Sequence, residues 1–273
     1  MYKCIALDMD GTLLNSKKEI SEENFIAIRK AFEAGKTIVL NTGRGLSELK
    51  DFLPLLPEVQ FVNCLSGALV HDVKNHKDIF SQELPYEIVQ QLFAISNIEH
   101  CMQHCLSKET LANEANIDRM EEYQMGVYKE AFRKRAIACK NLELEHKEQK
   151  FGVHKFNMYH FDTESRERTR ARLQEANLPI EVVDSEITSL EASQKGIDKG
   201  EGLRRLCAHL GITLDELIVV GDADNDLQAL KVAGLAVAMG NANDNVKQVS
   251  HVTVSDNDHD GVAQAIYDYL LKE

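Results

Sequence analysis

The chain has 273 residues, a net charge of -13, 44% hydrophobic residues and 27% charged ones. At roughly 100–200 residues per domain, that is one large domain or two ordinary ones, with the composition of a packed globular protein rather than a disordered chain. So acidic a surface repels phosphate backbones and anionic bilayers, which argues against nucleic acid and membranes as partners; a small anionic molecule remains admissible if local cations line its site.

The N-terminal run Ile5-Ala6-Leu7 reads as a short strand that stops at Asp8, Asp10 and Gly11. One Lys and then two acids so early do not make a signal peptide, and no apolar run approaches the roughly 18 residues needed to span a bilayer. The six cysteines are scattered, and Cys4 and Cys64 sit in apolar runs. A cytoplasmic protein without a disulfide framework is expected. A helix start follows, with Ser21 as cap and Ile20 and Phe25 as a hydrophobic staple. Phe25, Ile28 and Phe32 continue at helical spacing up to a stop at Gly35. Thr37-Ile38-Val39-Leu40 reads as a buried strand ending at Asn41-Thr42-Gly43-Arg44, and Gln60-Phe61-Val62-Asn63 as a third.

Residues 84–190 are more polar. Two strands are expected there, a half-exposed one over 151–159 and another at Glu181-Val182-Val183-Asp184. The alternation of strand and helix then resumes. A helix over 198–210 stops at Gly211, and the strand Leu217-Ile218-Val219-Val220 ends at Gly221-Asp222. A short helix, strands at Ala236-Val237-Ala238-Met239 and Val252-Thr253-Val254, and a helix over 261–271 complete the chain. Alternating strands and helices predict a parallel sheet covered on both faces. The expected architecture is α/β, a Rossmann-like doubly wound core from 1–83 and 191–273 with an α+β insertion at 84–190.

Open α/β sheets bind ligands at the carboxyl ends of their strands. Three such ends carry polar residues: Asp8-Met9-Asp10-Gly11-Thr12, Thr42-Gly43-Arg44, and Gly221-Asp222-Ala223-Asp224-Asn225-Asp226. Carboxylates brought together repel and raise one another's pKa. A hard divalent cation relieves this, and Mg²⁺ suits a site of a few carboxylates, waters and phosphate. Phosphoryl transfer depends mostly on positioning and charge neutralisation, so donors for phosphate oxygens are needed too. Thr42 offers a hydroxyl and Lys199 an ammonium at a helix start. Against this stands the reading of the acids as caps and turn residues, since Asp-Gly alone is common in turns.

Asp8-Met9-Asp10-Gly11-Thr12-Leu13-Leu14 resembles the first motif of the haloacid dehalogenase superfamily. Thr42-Gly43-Arg44, Gly196-Ile197-Asp198-Lys199-Gly200 and Gly221-Asp222-Ala223-Asp224-Asn225-Asp226-Leu227 are similar to its second, third and fourth. All occur in order, and the insertion between motifs two and three resembles the α/β cap of the Cof-type branch. Asn241-Ala242 and Asp260-Gly261-Val262-Ala263 also match that branch. The resemblance covers both flanks, and the middle by length and position only. Departures are Ser66 where relatives have an Asn-Gly-Ala run, Ala229 where Met is usual, and Gln194 where Pro is common.

The resemblance implies a Mg²⁺-dependent phosphatase acting on a small phosphorylated metabolite, such as a sugar phosphate. Asp8 would be the nucleophile, forming an aspartyl-phosphate, and Asp10 the general acid and base. Mg²⁺ would be held by the Asp8 carboxylate, the Asp10 carbonyl and Asp222. Thr42, Gly43, Lys199 and Asn225 would contact substrate, and Asp226 would orient the metal's surroundings. A sugar-phosphate phosphomutase and a non-catalytic phospho-ligand binder are the alternatives.

Three further signals are weighed. Residues 100–105 carry His and Cys but no second ligand pair at zinc-finger spacing, so ordinary packing is expected. Residues 256–261 begin like a calcium loop, yet Tyr267 stands where the bidentate Glu belongs. A turn with an N-cap is expected there. Arg44 is left between packing against the core and meeting substrate.

Overall fold

The computed structural model describes residues 1–184 and 186–272, in two compact units. One comprises Met1–Arg44, Lys50–Ser81 and the chain from Ile197 onward; the other comprises Gly45–Leu49 and Gln82–Gly196. In chain order the strands are β1 (Cys4–Leu7), β2 (Thr37–Asn41), β3 (Phe61–Cys64), β4 (Leu69–Asp72), β5 (Lys77–Ser81), β6 (Met102–Leu106), β7 (Thr110–Asn113), β8 (Ala136–Cys139), β9 (Lys155–Tyr159), β10 (Ile180–Asp184), β11 (Ser189–Gln194), β12 (Leu217–Gly221), β13 (Leu235–Ala238) and β14 (Val252–Thr253).

The first unit holds a sheet in the order β14-β13-β12-β1-β2-β3-β4-β5. Every pairing from β14 through β3 is parallel. β1, β12 and β13 are buried at every position, as apolar strands covered on both faces must be. The hairpin β4–β5 extends the sheet antiparallel, an addition that periodicity did not mark. Its outer strand is short and partly exposed and opens on Lys77, suited to a sheet edge.

Local signals account for the helices that flank the site. Ser21 accepts from the Asn24 N–H at the start of the helix Glu22–Glu33. Asp198 accepts from the Glu201 N–H and starts the helix Lys199–Leu210, which ends on left-handed Gly211 (φ 68°). The last helix departs from expectation: Gly261–Ala265 is α-helical, and Ile266–Leu270 is more widely wound. Asp260 does not cap it. Its backbone is left-handed, and its carboxylate accepts from the Ser21 hydroxyl at 2.6 Å.

The second unit is built on a sheet in the order β10-β11-β9-β6-β7-β8, antiparallel except for β7 with β8. The strand expected half-exposed over 151–159 is β9, and it is buried throughout. It lies centrally, with Phe156 and Met158 in one apolar cluster and Tyr159 in another on the opposite face. The unit boundaries fall at 81/82 and 196/197 rather than 83/84 and 190/191, the second of them because β11 pairs along its length with β9 and β10.

Candidate active site

The carboxyl ends of β1 and β12 are neighbours, since the two strands pair in parallel from Cys4 opposite Leu217 to Leu7 opposite Val220. The register delivers Asp8 and Asp222 to the same edge. Asp226 joins them from the turn after β12, where its carboxylate accepts from the Asp222 and Ala223 N–H groups at 3.1 and 3.3 Å. One carboxylate oxygen from each of Asp8, Asp222 and Asp226 lies within 4.8 Å of the others. Lys199, fully buried, donates to Asp8 and to Asp226, each at 2.7 Å.

Burial raises the Asp8 carboxyl well above the ordinary range, against the opposing pull of Lys199 and with the added push of Asp226 and Asp222. Burial likewise raises Asp222 to about 6, although the Thr12 hydroxyl bonded to it at 2.7 Å lowers it and Asp226 raises it. Burial lowers Lys199, but Asp226 and Asp8 outweigh that and raise it. One ammonium among three acids leaves an excess of negative charge. That donor set fits a hard divalent cation, which the carboxylate oxygens would hold and whose charge would offset the repulsion.

Asp10 stands in the opposite setting. Arg44 grips both its oxygens, Nε to Oδ2 at 2.7 Å and Nη2 to Oδ1 at 2.8 Å, and Lys18 Nζ adds a bond at 2.8 Å. Partial burial raises Asp10, but these partners win and bring it down to about 2. Arg44 thus meets Asp10, and its guanidinium lies over the Phe52 ring at 5.1 Å. Neither Arg44's partner nor Lys18 was legible beforehand. Thr12 was missed as well, although it stands inside the first motif.

Thr42 is buried, and its hydroxyl oxygen accepts from the Arg44 N–H at 3.1 Å. Gly43 is half-buried beside it, and Asn225 is exposed on the turn between Asp224 and Asp226. Two close approaches lock the loops. Gly11 is left-handed (φ 82°), and a Cβ there would stand 2.3 Å from Asp222 Oδ2. Gly67 is left-handed too, and a Cβ there would stand 1.9 Å from the Asp198 carbonyl oxygen. The run 65–68, which departs from the Asn-Gly-Ala pattern at Ser66, therefore still packs through Gly67 on the start of the helix that carries Lys199.

The His and Cys run of residues 100–105 lies in the second unit. His104, on β6, is buried with Nδ1 3.2 Å from the Tyr159 hydroxyl, and burial, with Lys155 nearby, holds it neutral with a pKa of about 3. No helix among the described residues is long and apolar enough to cross a membrane.

Comparison with known proteins places this geometry. The family described as haloacid dehalogenase-like hydrolase matches residues 5–266. The chain is 31% identical over 271 residues to 5-amino-6-(5-phospho-D-ribitylamino)uracil phosphatase YcsE of Bacillus subtilis, covering 98% of this chain and 96% of that one. It is 27% identical over 273 residues to pyridoxal phosphate phosphatase YbhA of Escherichia coli, covering 98% and 99%. Among solved structures, a haloacid dehalogenase-like hydrolase from Bacteroides thetaiotaomicron superposes with a TM-score of 0.87 at 29% identity, over 98% of this chain and 99% of that one.

Proposed function

We propose that this chain, which belongs to the haloacid dehalogenase-like hydrolase family, hydrolyses the phosphomonoester of a small metabolite through an aspartyl-phosphate on Asp8. The observation that carries the reading is the buried Asp8 at the end of β1, bonded to Lys199 and grouped with Asp222 and Asp226. An acid so placed has no role as a surface cap.

Mg²⁺ held by the Asp8 and Asp222 carboxylates and the Asp10 carbonyl would neutralise charge as the anionic phosphate meets the anionic nucleophile. Lys199 orients Asp8 and, with Thr42, Gly43 and Asn225, receives phosphate oxygens. Asp8 Oδ forms a bond to phosphorus as the bond to the leaving oxygen breaks, and Asp10 gives that oxygen a proton. A water then attacks the same phosphorus, Asp10 takes its proton, and inorganic phosphate leaves Asp8 free. Asp10 as held by Arg44 and Lys18 is ionised, the state the second half-reaction requires. The first requires a proton on Asp10 and therefore a loosened grip by Arg44.

The test is phosphate release from p-nitrophenyl phosphate, then from a panel that includes sugar phosphates, pyridoxal 5′-phosphate and 5-amino-6-(5-phospho-D-ribitylamino)uracil. Release should need Mg²⁺, stop with EDTA, and fall by about 10³-fold or more in Asp8→Asn. Isomerised sugar phosphate with little free phosphate would replace this reading with a mutase. Full activity in Asp8→Asn would remove the nucleophile assignment.

A further inference from the structure

Two asparagines outside the four motifs reach the turn that carries Asp10. Asn241 Nδ2 donates to the Gly11 carbonyl at 2.8 Å across a sequence separation of 230. Its other amide atom, Oδ1, accepts the Asn257 N–H at 3.1 Å, and Asn257 Nδ2 donates to the Leu14 carbonyl at 2.9 Å. The neighbouring Asp258 accepts the Ser16 N–H at 2.9 Å. The same loop also holds the opposite side of the site, for the Asn243 N–H donates to the Asp222 carbonyl at 3.1 Å. One short segment after β13 thus grips both the Asp10–Gly11 turn and the Asp222 loop.

The grip matters because the two loops touch. Gly11 lies so close to Asp222 that not even a methyl group fits between them. The turn rests on the Asp222 carboxylate, and Asn241 holds its carbonyl. Asn241 is itself exposed, so its hydrogen bond adds little to overall stability. Small shifts at this turn move Asp10 directly.

We infer that Asn241 is a positioning residue for the reaction: it sets the Asp10–Gly11 turn against Asp222, with Asn257 backing it. The inference rests on the roles proposed above for Asp10 and Asp222. Asn241 acts through the backbone and touches no reacting atom.

The experiment compares Asn241→Ala, Asn241→Asp and Asn257→Ala with Asn75→Ala, which removes an exposed asparagine bonded within its own turn to Asp72. Asn241→Asp keeps an acceptor for the Asn257 N–H but loses the donor to Gly11, so it should behave like Asn241→Ala. Both should lower kcat by about 10- to 100-fold, as misplacement of a catalytic group does, with KM within about two-fold and Asn257→Ala in between. p-Nitrophenolate leaves without a proton, so Asn241→Ala should give a stoichiometric burst from p-nitrophenyl phosphate before slow turnover. Alkyl phosphates should show no burst.

Hydrogen exchange at the Thr12 to Leu14 amides of the metal-free protein is the readout independent of turnover. It should quicken in Asn241→Ala and stay unchanged in Asn75→Ala. Unchanged kcat on both substrates, or a raised KM at unchanged kcat, overturns the inference, the latter by making Asn241 a substrate contact. Unchanged exchange overturns it too. Failure of the phosphatase reading shows separately, as wild type without phosphate release or as an active Asp8→Asn.

Discussion

Each unit buries a lysine, and the two are set differently. In the first, Lys199 lies fully buried between Asp8 and Asp226, with Asp222 close by. In the second, Lys155 donates to Glu191 at 2.7 Å, Glu191 also accepts from Asn157 at 3.4 Å, and the adjacent His104 is uncharged. The Lys155 setting matches a cation with an acid and holds strands β9 and β11 in register. The Lys199 setting crowds acids around a cation and leaves negative charge over. Matched burial makes structure, whereas unmatched burial stores a demand for a further positive group, and that demand marks the site.

The largest effect should come from removing each ammonium. Lys199→Met leaves Asp8 and Asp226 buried without their counterion, and metal-free protein should lose about 3–5 kcal/mol in urea unfolding. Lys155→Met should lose less, about 1–3 kcal/mol, because Glu191 keeps its Asn157 donor and is 14% exposed. Equal losses would break the comparison.

Mg²⁺ supplies the next contrast. At about 100 times its dissociation constant it should stabilise wild type by about 2.7 kcal/mol, seen as a rise in Tm. Asp222→Asn should lose most of that gain, and Glu191→Gln should keep it.

Acidification gives a further contrast, in which the two regions should respond with opposite signs. Asp222 is raised to about 6, so between that value and the ordinary value of about 3.9 the folded state binds more protons and the metal-free protein gains stability as pH falls. His104 is lowered to about 3. Below about pH 6.5 the unfolded state binds the proton first, and stability is lost at up to about 1.4 kcal/mol per pH unit. Urea midpoints from pH 7 to 4.5 should show a smaller gain in Asp222→Asn, where Asp8 is still raised, and a smaller loss in His104→Gln, where His146 and His160 are still lowered.

Much of this was readable along the chain. The strands before Asp8, Asn41 and Gly221 announced themselves as apolar runs, and the caps at Ser21 and Asp198 are local hydrogen bonds between residues three apart. A strand's period and a helix's cap depend on neighbours in sequence, so sequence alone determined them, and with them the edge where acids would gather. What tertiary structure decided are pairings over long separations: Arg44 on Asp10, Thr12 on Asp222, Asn241 on Gly11. It also buried both faces of β9 and carried the sheet on into the β4–β5 hairpin. None of these has a period or a spacing that betrays it. The three pairings exist because parallel strands drawn side by side bring together loops that the chain keeps far apart.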